Sequence, residues 1–453
     1  MTRKVVILGG GESGVGAAIL ARKQGYQVFL SDSQSILMHY QQVLKDYQIV
    51  YEEKGHTEEK ILTAELIIKS PGIPEKSSLI QRIRERAIPV VSEIEFASWY
   101  TSAKIIAITG SNGKTTTSML TYHLLKESGL SVGLAGNVGD SFAWQVAEKS
   151  FDYYVLEISS FQLDDIDRFK PNISVILNIT PDHLDRYDYD FQKYVNSKFL
   201  ITKNQTEEDA FIYFADSMVL LTEFAKRKLP VRAIPVSLAS QPPIGGYLAD
   251  DILVSQLPEG EFIEPFPNLP IQGPHNAVNA LIAITIAQLL GVESQRIRSS
   301  LATFVNAPHR LEPVGNIQGV SFVNDSKATN VDSVYYALGS YTQPIILIAG
   351  GVDKGNDYSQ IEDLVRQKVK GLIILTPDSQ KLETYFEGIV PQIFVTQKVE
   401  EAVQTAAKWA ESGDVVLLSP ACASFDLFKN YQDRGEKFKQ AVKEYAHEMG
   451  VSL

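Results

Sequence analysis

The residues best suited to chemistry begin at Thr109 and run Gly110, Ser111, Asn112, Gly113, Lys114, Thr115, Thr116. A glycine loop followed by a lysine and a hydroxyl residue can hold a nucleoside triphosphate. Backbone N–H groups take the phosphates, the lysine reaches the β and γ oxygens, and the hydroxyl can ligate magnesium. The loop departs from the common G-x-x-x-x-G-K-[ST] spacing, because the position six residues before Lys114 is Ile108, the end of an apolar strand. Its order of strand, loop, lysine–hydroxyl pair and helix is still the one the chemistry needs.

Three further candidates follow. "LEISSFQL" places Glu157 at the end of a strand-like run, where a hard oxygen ligand for magnesium is expected, although a merely buried or solvated acid would look the same. "NITPDHLDRY" offers His183 between acids; a lone histidine is more often structural, and magnesium prefers oxygen to imidazole. Lys198, 15 residues further on in a helical stretch, reads as a surface charge. Beside a divalent cation it would be unfavourable unless its neutral amine had captured carbon dioxide as an anionic carbamate, which sequence alone does not suggest.

At the amino end, Gly9-x-Gly11-x-x-Gly14 follows a strand, and Asp32 closes the next strand 18 residues beyond Gly14. This is the dinucleotide fingerprint, in which glycines admit a pyrophosphate at a helix start and the acid meets a ribose. A glycine-tight turn with no ligand is the alternative; a second strand-end turn, "KSPGIP", favours a diphosphate. Near the carboxyl end, "NDSKATNVDS" sets Asp325, Lys327 and Thr329 after a strand, "IAGGVDKGND" carries Lys354, and "LLSPACASFDLFKNYQDRG" carries Ser419, Ser424 and Phe425. Polar strand ends of one sheet share a crevice, and these lysines and hydroxyls suit a small carboxylate.

The elements that must position these residues alternate between apolar strands and amphipathic helices, the pattern of βαβ units around parallel sheets. At 453 residues the chain predicts about three domains. We place them at 1–94, 95–306 and 307–453, with a proline- and glycine-rich β excursion running from "SLASQPPIGG" to "FPNLP" before the third. A net charge of -12 opposes binding to nucleic acid or to anionic membranes. No apolar run approaches the roughly 20 residues that span a bilayer. A single cysteine, Cys422, read as a small buried residue, and an amino end that runs straight into a strand point to the cytoplasm.

Taken together, "TGSNGKTT", "LEISSFQL", "NITPDHLDRY", "GPHNAVNA", "PHRLE", "NDSKATN" and "SPACASFDLFKNYQDRG" resemble the ATP-dependent Mur ligases over essentially the whole chain. Within that family they look most like the members that add D-glutamate to UDP-N-acetylmuramoyl-L-alanine. A TGxNGKT/S loop is the family's own variant, which accounts for Ile108. The resemblance implies an α/β architecture of three domains: a Rossmann-like amino-terminal domain, a central ATPase domain with a mostly parallel sheet, and a Rossmann-like carboxyl-terminal domain. It implies that the first domain holds a UDP-sugar rather than NAD, with Ser13, Asp32, Gly72 and Asn137 near the substrate and Ser159 and Gln162 near the muramoyl portion.

By the same resemblance Lys114, Glu157, His183 and Lys198 are catalytic, and Thr115, Glu157, His183 and carbamylated Lys198 hold two magnesium ions. Asn279, Arg310 and Asp325 line the ATP side. Lys327, Thr329, Lys354, Ser424, Phe425 and Tyr431 receive D-glutamate, with Tyr431 standing where the family often has phenylalanine. "GGGESG" departs from the more usual G-x-G-x-[ST]-G and brings Glu12 towards an anionic ligand. The implied protein is a monomer that takes small-molecule substrates, not nucleic acid, and does not insert into membranes. Another amide ligase of this architecture, such as a folylpolyglutamate synthase, is the nearest alternative; an NAD-linked oxidoreductase and a non-catalytic nucleotide-binding regulator stand further off.

Overall fold

Strands such as Lys4–Leu8 (KVVIL, apolar after its leading lysine) and Ile345–Ala349 (IILIA, apolar throughout) bury both faces, and the helices between parallel strands provide the cover. The computed structural model describes residues 3–453 and carries three sheets. The first is wholly parallel: β1 (Lys4–Leu8), β2 (Gln27–Ser31), β3 (Val50–Glu52), β4 (Leu66–Lys69) and β5 (Val90–Ser92), in the order β3-β2-β1-β4-β5. The glycine fingerprint after β1 and the "KSPGIP" turn after β4 therefore lie in one sheet, as expected, and leave adjacent strands. A Cβ at Gly14 would lie 1.9 Å from the Gly9 carbonyl oxygen, so only glycine allows this strand-to-helix turn.

The second sheet has nine strands: β6 (Lys104–Thr109), β7 (Val132–Gly136), β8 (Tyr153–Glu157), β9 (Ile173–Ile176), β10 (Ala210–Phe214), β11 (Arg232–Ser237), β12 (Gly245–Ala249), β13 (Ile252–Leu257) and β14 (Gly260–Pro265). Their order is β14-β13-β12-β11-β10-β9-β6-β8-β7, parallel from β7 to β12 and antiparallel beyond, so the excursion extends this sheet as a meander. β6, which feeds the phosphate loop, lies between β8 and β9.

The third sheet comprises β15 (Glu312–Ile317), β16 (Val320–Asn324), β17 (Ile345–Ala349), β18 (Val369–Leu375), β19 (Ile393–Thr396) and β20 (Val415–Leu418), in the order β15-β16-β20-β17-β18-β19. Only β15 is antiparallel. Its "EPVGNI" has too few apolar residues to read as a strand, and β19 is a short edge strand; sequence periodicity missed both.

By contacts the chain divides into two compact units, one reaching Asn268 and including Val278–Phe304, the other Leu269–Ala277 with Val305–Leu453. The first unit holds the first two sheets, joined by buried ionic contacts. Asp165 accepts from Lys69 Nζ at 2.9 Å and Arg84 Nη2 at 2.6 Å. Glu95, fully buried, accepts from the backbone N–H groups of Asp167, Arg168 and Phe169 and from the Trp99 indole, which satisfies a charge otherwise costly to bury.

Candidate active site

The phosphate loop leaves β6 and enters the helix Lys114–Glu127, capped by Gly113 at φ 84°. It is stitched to the loop after β9. Ser111 N–H donates to the Asn178 carbonyl (3.0 Å), Asn112 N–H donates to Asn178 Oδ1 (2.9 Å), and Ser111 Oγ donates to the Thr180 carbonyl (2.8 Å). Two amides of the loop thus hold the loop itself, leaving the helix start as the natural seat for phosphate. Lys114 Nζ donates to the carbonyls of Gly110 and Ser111, both at 2.8 Å. Thr115 and Thr116 are buried in the first turn, and Asn279 Oδ1 accepts from Thr117 Oγ1 at 3.0 Å.

Glu157 ends β8 beside this loop and is 1% exposed. Asn137, after β7, holds it twice: its N–H donates to the Glu157 carbonyl (2.8 Å) and its Nδ2 donates to Oε1 (2.7 Å). Glu157 Oε2 is buried without a hydrogen-bond partner. A buried orphan carboxylate oxygen next to a phosphate loop fits a hard divalent cation. Among the described residues no three His, Cys, Asp or Glu side chains form a metal cage.

Lys198 lies in the helix Phe191–Phe199 and, against its surface reading, is 1% exposed. Its Nζ donates to the Gly110 carbonyl at 2.9 Å and sits 4.7 Å from the Tyr194 ring centre. Burial, followed by the charge of Lys114, holds its amine well below its ordinary pKa. His183 has left-handed backbone (φ 51°), with its ring 5.3 Å from that of Phe161 and Nε2 3.5 Å from Asp182 Oδ2.

Gly72, Lys114, Asn137, Ser159, His183 and Lys198 line one cavity of about 310 Å³, together with Phe161, Asp182, Arg186 and Tyr194, which sequence reasoning did not single out. Arg186 stacks on Phe161 with its guanidinium 4.5 Å from the ring centre and points its amines at the Pro71 and Gly72 carbonyls. Gln162 does not line this cavity: it is buried, and its Oε1 accepts from Ser159 N–H and Oγ as a helix cap.

A second cavity, of about 600 Å³, is lined by Gly9, Gly11, Glu12, Ser13, Asp32 and the Ser70–Pro74 turn. Pro71 and Gly72 belong to the walls of both. Asp32 is a loop clamp as well as a wall, accepting from Gly10 N–H (2.5 Å) and Gln34 N–H (2.7 Å). Glu12 is drawn aside, its Oε1 accepting from Ser141 N–H at 2.9 Å, so its carboxylate has a fixed partner despite its place in the glycine loop.

In the second unit the loops after β16, β17 and β20 do converge. Arg434, 1% exposed, donates from Nε to Ser326 Oγ (3.0 Å), from Nη2 to the Ser326 carbonyl (2.9 Å), and from Nη1 to the carbonyls of Gly350 and Cys422. Asp325 accepts from Ser419 Oγ (3.0 Å) and Leu311 N–H (3.2 Å), and burial pushes its carboxyl up to about 7. Arg310 Nε is buried without a partner, Lys327 Nζ lies 5.5 Å from the Tyr431 ring centre, and Ser424 is buried. Thr329 is half-buried, while Lys354 and Phe425 are exposed. Cys422 is the buried free cysteine expected.

A phosphate loop at the carboxyl end of a parallel sheet, a glycine-fingerprint cavity sharing its wall, and a further α/β sheet with polar strand ends define a multidomain nucleotide-binding α/β enzyme. More particularly, the chain belongs to the Mur ligase family. Residues 3–92 match the MurD-like amino-terminal domain of Mur ligases, 108–287 the Mur ligase middle domain, and 309–422 the Mur ligase glutamate ligase domain. It is 50% identical to a UDP-N-acetylmuramoylalanine--D-glutamate ligase of Christiangramia forsetii, covering 98% of this chain and 100% of the relative. It is 49% identical, with the same coverage, to one of Bacteroides fragilis. Its fold is like that of a pseudomurein peptide ligase type C from Methanothermus fervidus (TM-score 0.64, 18% identity, covering 98% of this chain and 100% of that one). Among the described residues no helix is long and apolar enough to cross a membrane.

Proposed function

We propose that this protein joins D-glutamate to UDP-N-acetylmuramoyl-L-alanine at the expense of ATP, releasing ADP and phosphate, as a cytoplasmic monomer in the synthesis of cell-wall peptidoglycan precursors. The observation that carries this reading is the shared wall. Pro71 and Gly72 border both the glycine-fingerprint cavity and the cavity of Lys114, so a sugar nucleotide seated in the first extends its acyl end towards the second. The amino acid follows from the name borne by relatives about half identical over their whole length.

A carboxylate oxygen of the alanyl group attacks the γ phosphorus, the bond to the bridging oxygen breaks, and ADP leaves. The D-glutamate nitrogen then attacks the acyl carbon, gives up a proton, and expels inorganic phosphate. Two anions must meet in the first step, so charge neutralisation and alignment supply most of the rate. Lys114 turns from the loop carbonyls to the β and γ oxygens, with Gly110, Ser111, Asn112, Gly113, Thr115 and Thr116 shaping the seat and Asn279, Arg310 and Asp325 lining the ATP side. Thr115, Glu157, His183 and a carbamate on Lys198 would hold two magnesium ions, whose charge would offset that of the triphosphate.

Ser13, Asp32, Gly72, Asn137 and Ser159 serve the sugar nucleotide, and Gln162 acts behind Ser159 as its cap. Lys327, Thr329, Lys354, Ser424, Phe425 and Tyr431 receive D-glutamate. The domains on this reading are 1–94, 95–306 and 307–453. ADP release measured across single amino acids, with UDP-N-acetylmuramoyl-L-alanine present, tests the assignment: D-glutamate supports turnover, and equal or better turnover with L-alanine or a diamino acid overturns it.

A further inference from the structure

Glu12 stands in a glycine loop built to approach an anion, yet its carboxylate is committed to Ser141 N–H, 129 residues away, at the cap of the helix Phe142–Glu148. Ser141 is pinned from two other sides. Its Oγ donates to Glu93 Oε1 (2.7 Å), and a Cβ at Gly16 would come within 2.1 Å of that Oγ, so the helix Glu12–Lys23 packs directly against it. Only Val138, Gly139 and Asp140 separate Ser141 from Asn137, which holds both the backbone and one side-chain oxygen of Glu157. The Gly136 N–H···Asp140 carbonyl bond (3.3 Å) closes that short loop on itself.

We propose that Glu12 is a positioning residue for Glu157: a strut from the sugar-nucleotide cavity wall, through Ser141 and the loop beginning at Asn137, that orients the carboxylate oxygen left unpartnered. The inference rests on the reading of Glu157 as a magnesium ligand. Outer partners that orient a ligating carboxylate set metal affinity, and a strut one step further out has a smaller effect of the same kind. Glu12 is exposed, so replacing it leaves the core intact.

The test uses the full-length protein and two readouts. In hydrogen exchange without nucleotide or metal, Glu12→Ala raises exchange in the segment 136–145, and Glu12→Gln, which keeps an oxygen to accept from Ser141, restores protection. In turnover at saturating sugar nucleotide, Glu12→Ala raises the magnesium concentration for half-activity about 3- to 10-fold and Glu12→Gln stays within about twofold of the parent. Combining Glu12→Ala with Asn137→Ala adds nothing to Asn137→Ala alone, because both lie on one path. Additive effects, unchanged exchange, or a change confined to the KM for the sugar nucleotide each overturn the strut. Glu157→Ala separates the underlying reading: if it leaves the magnesium dependence unchanged, the metal assignment itself is wrong, whatever Glu12 does.

Discussion

The side-chain nitrogens of Lys114 and Lys198 meet on one acceptor, the carbonyl of Gly110, at 2.8 and 2.9 Å. Burial disfavours the ammonium form of Lys198, and the charge of Lys114 at the same acceptor adds to that, so Lys198 is held well below its usual range. A neutral amine in reach of the phosphate loop is the species that reacts with carbon dioxide.

Lys198 is accordingly expected to be carbamylated. Protein equilibrated with isotope-labelled bicarbonate should show a carbamate resonance that Lys198→Ala lacks. That variant should lose at least about 100-fold in turnover, partly restored by short carboxylic acids that supply the missing anion. Absence of both the resonance and the rescue would count against the modification.

Lys114→Ala should lower ATP-dependent turnover about 100-fold or more, since no other loop side chain can place a positive charge on the γ-phosphate. Steady-state ADP release checks this, and near-normal activity would refute the assignment.

Asp165 neutralises Lys69, whose side chain is only 6% exposed, and draws in Arg84. Asp165→Ala leaves a buried ammonium with only the exposed Glu75 for a counter-charge, besides a 3.4 Å bond to the Ile73 carbonyl, and should cost about 3–5 kcal/mol of stability in urea unfolding. A loss under about 1 kcal/mol would mean that the contact is no more than a surface pair.

Glu93 gives a pH signature. Burial pushes its carboxyl from 4.5 up to about 7, and Oε2 has no partner. Between those values the folded chain keeps a proton that the unfolded chain has released, so this group's contribution to stability falls as pH rises through the window, with the full penalty present above about 7. The penalty is on the order of 3 kcal/mol. Glu93→Gln removes it, so the loss of stability between about pH 5 and about pH 8 should be smaller in the variant by a comparable amount. Parallel pH dependences would show that Glu93 ionises normally.

Lys114 and Glu157 are legible in the sequence because Glu157 ends an apolar strand and Lys114 opens the helix after the glycine loop that leaves another, and the carboxyl ends of parallel strands face one crevice whatever the details of packing. The third sheet's polar strand ends were readable for the same reason. Glu12, Asp165 and Arg434 were not. Their partners lie 129, 81 and 108 residues away, and nothing local distinguishes a carboxylate or guanidinium that ties distant segments together from one that faces water. Lys198 read as a surface charge because a helix lysine usually is one; only its burial reverses that. Gln162, taken from its motif as a substrate contact, also caps its own helix, a role that the motif did not reveal.

The central claim is tested most directly by incubating the purified protein with ATP, magnesium, UDP-N-acetylmuramoyl-L-alanine and D-glutamate and weighing the nucleotide-sugar product. The account predicts a gain equal to one glutamyl residue, with one ADP formed per product. An unchanged mass under these conditions, or the same gain without ATP, would contradict it.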